Sequence, residues 1–141
     1  MADAQVSIGL LLPTREVVMA EGAPDLHKII DLAVRAEELG FDSVWVGDSI
    51  LARPRLEAMT TLAAVASRTQ RVQLGTAVLL PALRQPVILA NEAANVDILS
   101  QGRLILGLGI ASKNPSIERE FAACGADFKR RVSLFEECVT L

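Results

Sequence analysis

The feature that most constrains this chain is a pattern that occurs three times: a polar start, a short apolar run and then a glycine. The copies lie at 40–47, 70–76 and 101–107. Each is followed by a segment in which apolar residues recur at helical spacing. Short apolar runs are typical of strands buried on both faces of a parallel sheet, and helices are the usual connections between such strands. The repeat therefore predicts the α/β class.

The predicted elements alternate along the whole chain. Strands are predicted at 6–12, 41–46, 71–80 and 104–110, and helices at 26–39, 57–68 and 86–99. A short helix at 115–123 precedes a last helix, which Asp127 caps and which runs to Leu141. The strands start roughly 30 to 36 residues apart, the length of a βα unit with its loops. The predicted order is βαβαβαβα, with parallel strands.

Two architectures share this order of elements. The chain has 141 residues, enough for a complete doubly wound open sheet. A barrel of eight strands needs about 250 residues, so the chain would be half of one. On the pattern alone the open sheet is favoured, because it leaves nothing out.

Composition narrows the class of protein. Apolar residues make up 51% of the chain, which excludes a disordered protein, and the net charge of −3 is spread without a basic stripe or block. We therefore expect no nucleic-acid partner and no membrane partner. The chain has one histidine, and its two cysteines, Cys124 and Cys138, lack the spacing of metal ligands. No metal site is expected, and free thiols without a signal peptide favour a cytoplasmic protein.

Several segments, in this order, resemble the bacterial luciferase-like family of flavin-dependent oxidoreductases. They are 39–48 (LGFDSVWVGD), 74–81 (LGTAVLLP) followed by 84–86 (RQP), 97–109 (DILSQGRLILGLG), and Glu120, Phe121, Gly125, Phe128 and Arg131. The resemblance covers nearly the whole chain, and it reverses the preference for an open sheet. It implies a TIM (β/α)8 barrel of which residues 1–141 are the N-terminal half: four βα units with strands in the order 1-2-3-4. The chain would end after the fourth helix, without strands five to eight.

The resemblance also implies a cofactor and a reaction. Members bind FMN, or alternatively the related 5-deazaflavin coenzyme, at the carboxyl ends of the strands. The chain is thus expected to belong to a monooxygenase-type oxidoreductase that uses reduced flavin for hydride transfer or oxygen activation on a small organic substrate. A separate flavin reductase is an expected partner. The alternative is a catalytically silent half-barrel, as a fragment or a subunit, that binds no cofactor.

The expected site lies where the strands of a barrel end. Candidate cofactor-binding residues follow or end strands two, three and four, and are Asp48, Ser49, Thr76, Ala77, Val78, Ala111 and Ser112. The family's third strand carries a non-proline cis peptide that supports the isoalloxazine ring, and its position here would be Ala77–Val78. Many members have a histidine where this chain has Ser49, so no imidazole acid is available there. No catalytic residue is assigned.

Two arginines complete the expected site. Arg53 and Arg55 follow strand two and could bind an anionic substrate or phosphate. Each candidate also has an ordinary alternative: Asp48 and Ser49 as turn or cap residues, and the arginines as solvated loop charges.

A half-barrel is expected to expose the inner face of its sheet and its edge strands. The positions expected to face inward are apolar and include Ile8, Leu10, Val44, Val46, Leu74 and Leu106. Exposed apolar surface and open strand edges favour pairing with another chain. The sequence therefore predicts that the 141-residue chain is either a homo-oligomer, with two halves facing each other, or poorly soluble.

Overall fold

The computed structural model describes residues 6–140, and its centre is a sheet of four parallel strands in the order β1-β2-β3-β4. The strands are β1 (Gly9–Leu11), β2 (Ser43–Val46), β3 (Gln73–Thr76) and β4 (Leu104–Ile105). The helices are α1 (Thr14–Met19), α2 (Leu26–Glu38), α3 (Ala58–Ala66), α4 (Pro86–Ser100), α5 (Pro115–Ala123) and α6 (Arg131–Val139), with 3-10 turns at Pro81–Leu83 and Phe128–Arg130.

The strand order decides between the two architectures. A doubly wound sheet reverses direction at a switch point, whereas here each strand pairs with its neighbour in sequence, as in a barrel. The order 1-2-3-4 predicted from the resemblance is confirmed, and the open sheet favoured by the pattern alone is wrong.

The predicted strands are longer than those in the structure. The first and second begin at Gly9 and Ser43, and the third ends at Thr76 because the backbone leaves the sheet there. The fourth has two paired residues, and one further bridge joins Leu79 to Leu108. The sequence predicts no element between residues 12 and 26, and the structure has α1 there. The last predicted helix is divided into a 3-10 turn, which Asp127 caps, and α6; Leu141 lies outside the described residues.

Helix boundaries follow side chains that the sequence supplies. Asp25 caps α2 by accepting a hydrogen bond from the His27 amide, and Gln85 caps α4 by accepting one from the Ile88 amide. Proline occupies the first turn of α4, where its missing N–H costs no hydrogen bond. Past the end of α2, Gly40 adopts a φ of 84°, which favours glycine. None of the helices between residues 6 and 140 has the length and apolar character that crossing a bilayer requires.

One face of the sheet packs against the helices and holds the main core. Val44, Val46 and Leu74 are completely buried there, together with Ile29 of α2 and Leu62 of α3. The inward orientation predicted for the apolar strand residues is therefore wrong. Leu10 and Leu104 pack against the same core, and Leu106 contacts the region between α4 and α6. Ile8 precedes β1 and is exposed.

The opposite face, which corresponds to the inside of a barrel, is built around one large ring. Trp45 covers positions at which a side chain would collide with it: an added Cβ at Gly75 would lie 2.2 Å from its ring, and one at Gly9 would lie 2.5 Å from its Nε1. Nε1 donates a hydrogen bond to the Ser43 hydroxyl at 2.8 Å. Leu11, which pairs with Trp45, is 59% exposed on this face. Large and small residues thus alternate across neighbouring strands, as in the layers of a barrel interior.

The amino-end side of the sheet is fixed by two polar anchors. The Glu37 carboxylate accepts backbone hydrogen bonds from three consecutive amides, those of Gln70, Arg71 and Val72, just before β3. Arg103 donates to the carbonyls of Ala66, Thr69, Val72 and Ser100, and so binds the end of α3 to β4. Partial burial alone would raise the pKa of Glu37, but the three amides outweigh it and hold the pKa below its ordinary value.

We expect Glu37→Gln to remove a pH-dependent part of the stability. Because the pKa of Glu37 is lowered on folding, its contribution is present above the ordinary value of 4.5 and is lost as the pH falls through the folded pKa. At pH 7 the variant should melt about 3 °C below the wild type. The difference should shrink between pH 5 and pH 3 in thermal unfolding followed by circular dichroism. Glu38→Gln, which alters an exposed pair with Arg35, is the control and should melt like the wild type. An unchanged difference at pH 3 would contradict the assignment.

Candidate functional site

A pocket of about 300 Å³ lies at the carboxyl ends of the strands. Its lining brings together most of the predicted site residues, which come from the ends of β2 and β3 and from the segment after β4. The lining residues are Gly47, Asp48, Ser49, Ala52, Arg53, Arg55, Ala77, Val78, Leu80, Ala111, Ser112, Asn114, Ser116, Ile117 and Glu120. Residues more than 60 positions apart in the sequence thus lie together at one edge of the sheet.

Thr76 is the predicted site residue that the structure keeps out of this lining. It is fully buried, and its hydroxyl donates to the Gly107 carbonyl at 2.9 Å. Thr76 therefore joins β3 to the segment after β4 outside the pocket lining, and its contact with a cofactor stays a prediction. Its side chain follows the helix-facing alternation of Leu74, which places it below the site.

Ala77 and Val78 form an exposed apolar platform at the end of β3. The peptide bond between them is cis, as the resemblance implies, and Val78 is 44% exposed. Two glycines lie close to the platform. A Cβ at Gly107 would lie 2.2 Å from the Thr76 carbonyl oxygen, and one at Gly109 would lie 2.5 Å from Cγ2 of Val78. Glycine at positions 107 and 109 thus has a local cause, since larger residues would collide with the segment that carries the platform.

The segment after β4 closes the opposite side of the pocket. Ala111 has a φ of 63°, in the left-handed region that alanine rarely adopts. Asn114 caps α5 by accepting a hydrogen bond from the Ser116 amide at 2.8 Å, so α5 begins at the pocket. Ser112 and Ser116 add hydroxyl groups to this side.

Asp48 is held in a buried ion pair. Its carboxylate accepts hydrogen bonds from both terminal nitrogens of Arg84, at 2.6 and 2.9 Å, and from the Leu80 amide, at 2.9 Å. Arg84 also contacts Glu57 at 3.0 Å. Burial alone would lower the pKa of Arg84, but the hydrogen bonds and charges of Asp48 and Glu57 raise it above its ordinary value. For Glu57, burial is likewise outweighed by its hydrogen bonds, and its pKa is lowered. Asp48 thus fixes the start of the loop after β3.

Glu120 is the central site residue that the sequence reasoning did not single out for the site. It is 1% exposed, and its Oε1 accepts hydrogen bonds from the amides of Ile50 and Leu51 and from the Ser49 hydroxyl, the last at 3.0 Å. Ser49 in turn accepts a hydrogen bond from the Arg53 amide at 2.9 Å. Oε2 of Glu120 is buried and has no hydrogen-bond partner among residues 6–140. The only sequence signal was that Glu120 belongs to the family-like segment before the last helix.

A small second core holds Glu120 in place. Phe121, the next residue, is fully buried with Leu80 and Leu83, and its ring meets Phe128 edge-on with centroids 5.2 Å apart. The guanidinium of Arg131 lies 4.3 Å from the centre of the Phe128 ring. The family-like residues of α5, of the start of α6 and of the segment between them therefore form a structural unit that holds the Glu120 carboxylate at the pocket.

The two candidate arginines both line the pocket but differ in exposure. Arg53 is exposed, whereas Arg55 is half-buried. The Arg55 guanidinium lies against Gly47, where a Cβ would be 2.0 Å from Nη1. Neither arginine forms a salt bridge within the part of the chain that the structure describes.

The cysteines lie away from the lining of this pocket. Cys124 and Cys138 are free, and burial raises the pKa of each thiol. Within residues 6–140 no group of three or more His, Cys, Asp and Glu side chains is arranged to hold a metal ion.

The strand order and the position of the pocket define the class of protein. Four sequential βα units with a pocket at the carboxyl ends of their strands correspond to part of a (β/α) barrel and its ligand-binding edge. The sequence profile of the luciferase-like monooxygenase family matches residues 6–141, and the chain belongs to this family.

Individual relatives are longer than this chain. It is 41% identical over 123 residues to a protein of Amycolatopsis mediterranei (strain U-32) named F420-dependent glucose-6-phosphate dehydrogenase. The match covers 80% of this chain and 35% of the relative. Among solved structures, monooxygenase RslO1 from Streptomyces bottropensis has a TM-score of 0.77 at 29% identity, over 96% of this chain and 41% of that one. The oxygenating constituent of 3,6-diketocamphane monooxygenase from Pseudomonas putida, in complex with FMN, shares the fold at 18% identity, with a TM-score of 0.75, over 95% of this chain and 37% of that one.

Removing the Asp48 carboxylate should destabilise the fold. Asp48→Ala leaves the largely buried Arg84 with one carboxylate and the Leu80 amide without its acceptor, and we expect a loss of about 3 kcal/mol in the free energy of unfolding. Urea unfolding followed by tryptophan fluorescence measures it. Arg35→Ala, which breaks the exposed pair with Glu38, is the matched control and should cost less than about 0.5 kcal/mol. Equal losses in the two variants would show that the Asp48 pair is not structural.

Proposed function

We propose that this chain forms the ring-binding half of a flavin-dependent or deazaflavin-dependent oxidoreductase. The observation that carries the proposal is the platform of Ala77 and Val78 at the floor of the strand-end pocket. A flat tricyclic ring needs an apolar surface under one face and polar groups at its edge. The platform offers the first, while Ala111 and Ser112 border it from the segment after β4. The residues present therefore fit the ring.

The choice of ring follows two lines of support. The Amycolatopsis relative is named for the deazaflavin coenzyme F420, and the Pseudomonas structure contains FMN. We propose FMN with the deazaflavin coenzyme as the alternative, because both present the same tricyclic shape to the platform. The bound ring supplies the hydride transfer, and FMN can also activate oxygen.

The contribution of this chain would be binding and orientation. Asp48 and Ser49 both line the pocket, but the oxygens of Asp48 accept from Arg84 and Leu80, and the Ser49 hydroxyl donates to Glu120. Neither side chain is free to donate a proton to a substrate in this arrangement. The ring edge would meet backbone groups and the Ser112 hydroxyl. The substrate would be a small organic molecule, and a flavin reductase would supply reduced FMN in a cytoplasmic setting that suits the free thiols.

Placing a charge on the platform should prevent ring binding. We expect Val78→Glu to weaken FMN binding at least ten-fold, because the carboxylate would have to be desolvated under the ring. Titration of FMN and of the deazaflavin coenzyme, followed by fluorescence, measures it. Val132→Glu on α6 is the matched control, since Val132 is 43% exposed and Val78 is 44% exposed.

The same titrations distinguish a ring-binding chain from a catalytically silent half-barrel. Wild-type affinity in Val78→Glu would show that the ring does not bind on this platform. If the wild-type chain binds neither ring, the catalytically silent half-barrel becomes the better description.

We further propose that the chain is a homo-oligomer. The support is the inner face of the sheet, where Leu11 is 59% exposed beside Trp45, and β1 and β4 each have an open edge. Such a surface is buried in a barrel and favours pairing when it is open. A second copy facing it would cover the apolar residues of both chains.

Charge on the inner face should dissociate the oligomer. We expect the purified chain to be a dimer by size-exclusion chromatography with light scattering, and Leu11→Glu to be a monomer. Met19→Glu is the control, because Met19 is equally exposed, at 61%, but lies on α1. A wild-type chain that stays monomeric at high concentration would rule out this mode of association.

A further inference from the structure

The carboxylates that line the strand-end pocket are already bound. Asp48 accepts three hydrogen bonds, two from Arg84 and one from the Leu80 amide. Oε1 of Glu120 faces the backbone amides after Ser49, and its Oε2 is buried. The hydrogen-bonded oxygens of both groups face protein donors. They leave little capacity to hold a cationic ligand.

The donors of Arg53 and Arg55 are in the opposite condition. Neither makes a salt bridge among residues 6–140, and for the Arg55 side chain the structure shows one weak hydrogen bond, from Nε to the Arg53 carbonyl at 3.4 Å. A guanidinium presents five N–H donors in a planar fork that matches phosphate and carboxylate groups. Most of this capacity remains available to a ligand in the pocket.

Gly47 is the reason that Arg55 can lie at the strand end. The point that a Cβ of residue 47 would occupy is 2.0 Å from Nη1 of Arg55 and 3.7 Å from the Ala77 carbonyl oxygen. The guanidinium is thus beside the platform of Ala77 and Val78, and it is half-buried. A side chain at position 47 would push it away while leaving its charge on the protein.

We propose that Arg55, assisted by Arg53, forms an anion-binding subsite of this pocket, for a phosphate or carboxylate group. The hydroxyl groups of Ser112 and Ser116 line the same pocket and can donate to such a group. The subsite deepens the proposed function and rests on it in one respect, that this pocket is the working site. The anionic group would belong to the substrate or to the side chain of the cofactor.

Two variants test the subsite in different ways. Inorganic phosphate is titrated into the full chain by isothermal titration calorimetry at low ionic strength. We expect Arg55→Gln to weaken phosphate binding at least ten-fold, and Arg53→Gln to weaken it less, because Arg53 is exposed. Gly47→Ala should weaken it as much as Arg55→Gln while retaining the charge. Its melting temperature should stay unchanged, since the end of a flexible side chain is what must move.

Arg68→Gln is the matched control, because Arg68 is an exposed arginine next to the end of α3 and outside the pocket lining. The subsite is overturned if Arg55→Gln binds phosphate as tightly as Arg68→Gln, if Gly47→Ala binds like the wild type, or if the wild-type chain does not bind phosphate.

Flavin titrations identify the source of the anion. If Arg55→Gln weakens binding of FMN but not of riboflavin, which lacks the phosphate, the subsite holds the cofactor's phosphate. If both flavins bind as to the wild type and only free phosphate is lost, it holds a substrate group. The wild-type titrations keep the two proposals apart, because a chain that binds phosphate but neither FMN nor riboflavin would retain the subsite and contradict ring binding on the platform.

Discussion

The site depends on one buried carboxylate. Glu120 extends from α5 to the loop after β2, and its Oε1 accepts hydrogen bonds from the amides of Ile50 and Leu51 and from the Ser49 hydroxyl. A buried polar group is tolerated when it is hydrogen-bonded, so these hydrogen bonds to Oε1 hold the loop in one conformation. The conformation sets where Arg53 and Arg55 leave the loop. The small core around Phe121 holds the carboxylate, and the pocket is therefore shaped by residues that are distant in the sequence.

The sheet contributes to the pocket through its two unlike faces. On the helix side, β-branched and leucine side chains are fully buried, which fixes the strands to α2, α3 and α4. On the inner side, one ring, that of Trp45, occupies the space left by Gly9 and Gly75. Small residues also occur at the carboxyl end of the sheet. Because Gly107 and Gly109 have no side chains, the segment after β4 can approach the end of β3 closely, and Ala77 and Val78 stay exposed. Small residues thus keep open the surface on which we propose that a planar ring lies.

The resemblance implies that many family members have a histidine at one position of the loop after β2. Ser49 takes that place, and its hydroxyl is bound to Glu120, while the neighbouring Asp48 is bound to Arg84. The strand-end residues therefore act as a scaffold, and the groups that face the pocket are an apolar platform and guanidinium donors. Such a division suits a protein whose cofactor carries the chemistry. The chain spans about a third of the length of the Amycolatopsis relative.

The sequence by itself determined the order of strands and helices, several helix ends and the gathering of most site residues at one edge, because periodicity, caps and glycines act locally. The resemblance added the cis peptide at Ala77–Val78 and the barrel order, which the pattern alone had misjudged. Only the tertiary structure decided which face each strand buries: Val44 and Val46 face the helices, since runs that are apolar throughout carry no alternation to orient them. It also decided the partner of each polar group. Thr76 lies outside the pocket lining and Glu120 lies in it. Their hydrogen bonds, to Gly107 31 positions away and from Ser49 71 positions away, form only once the chain has folded.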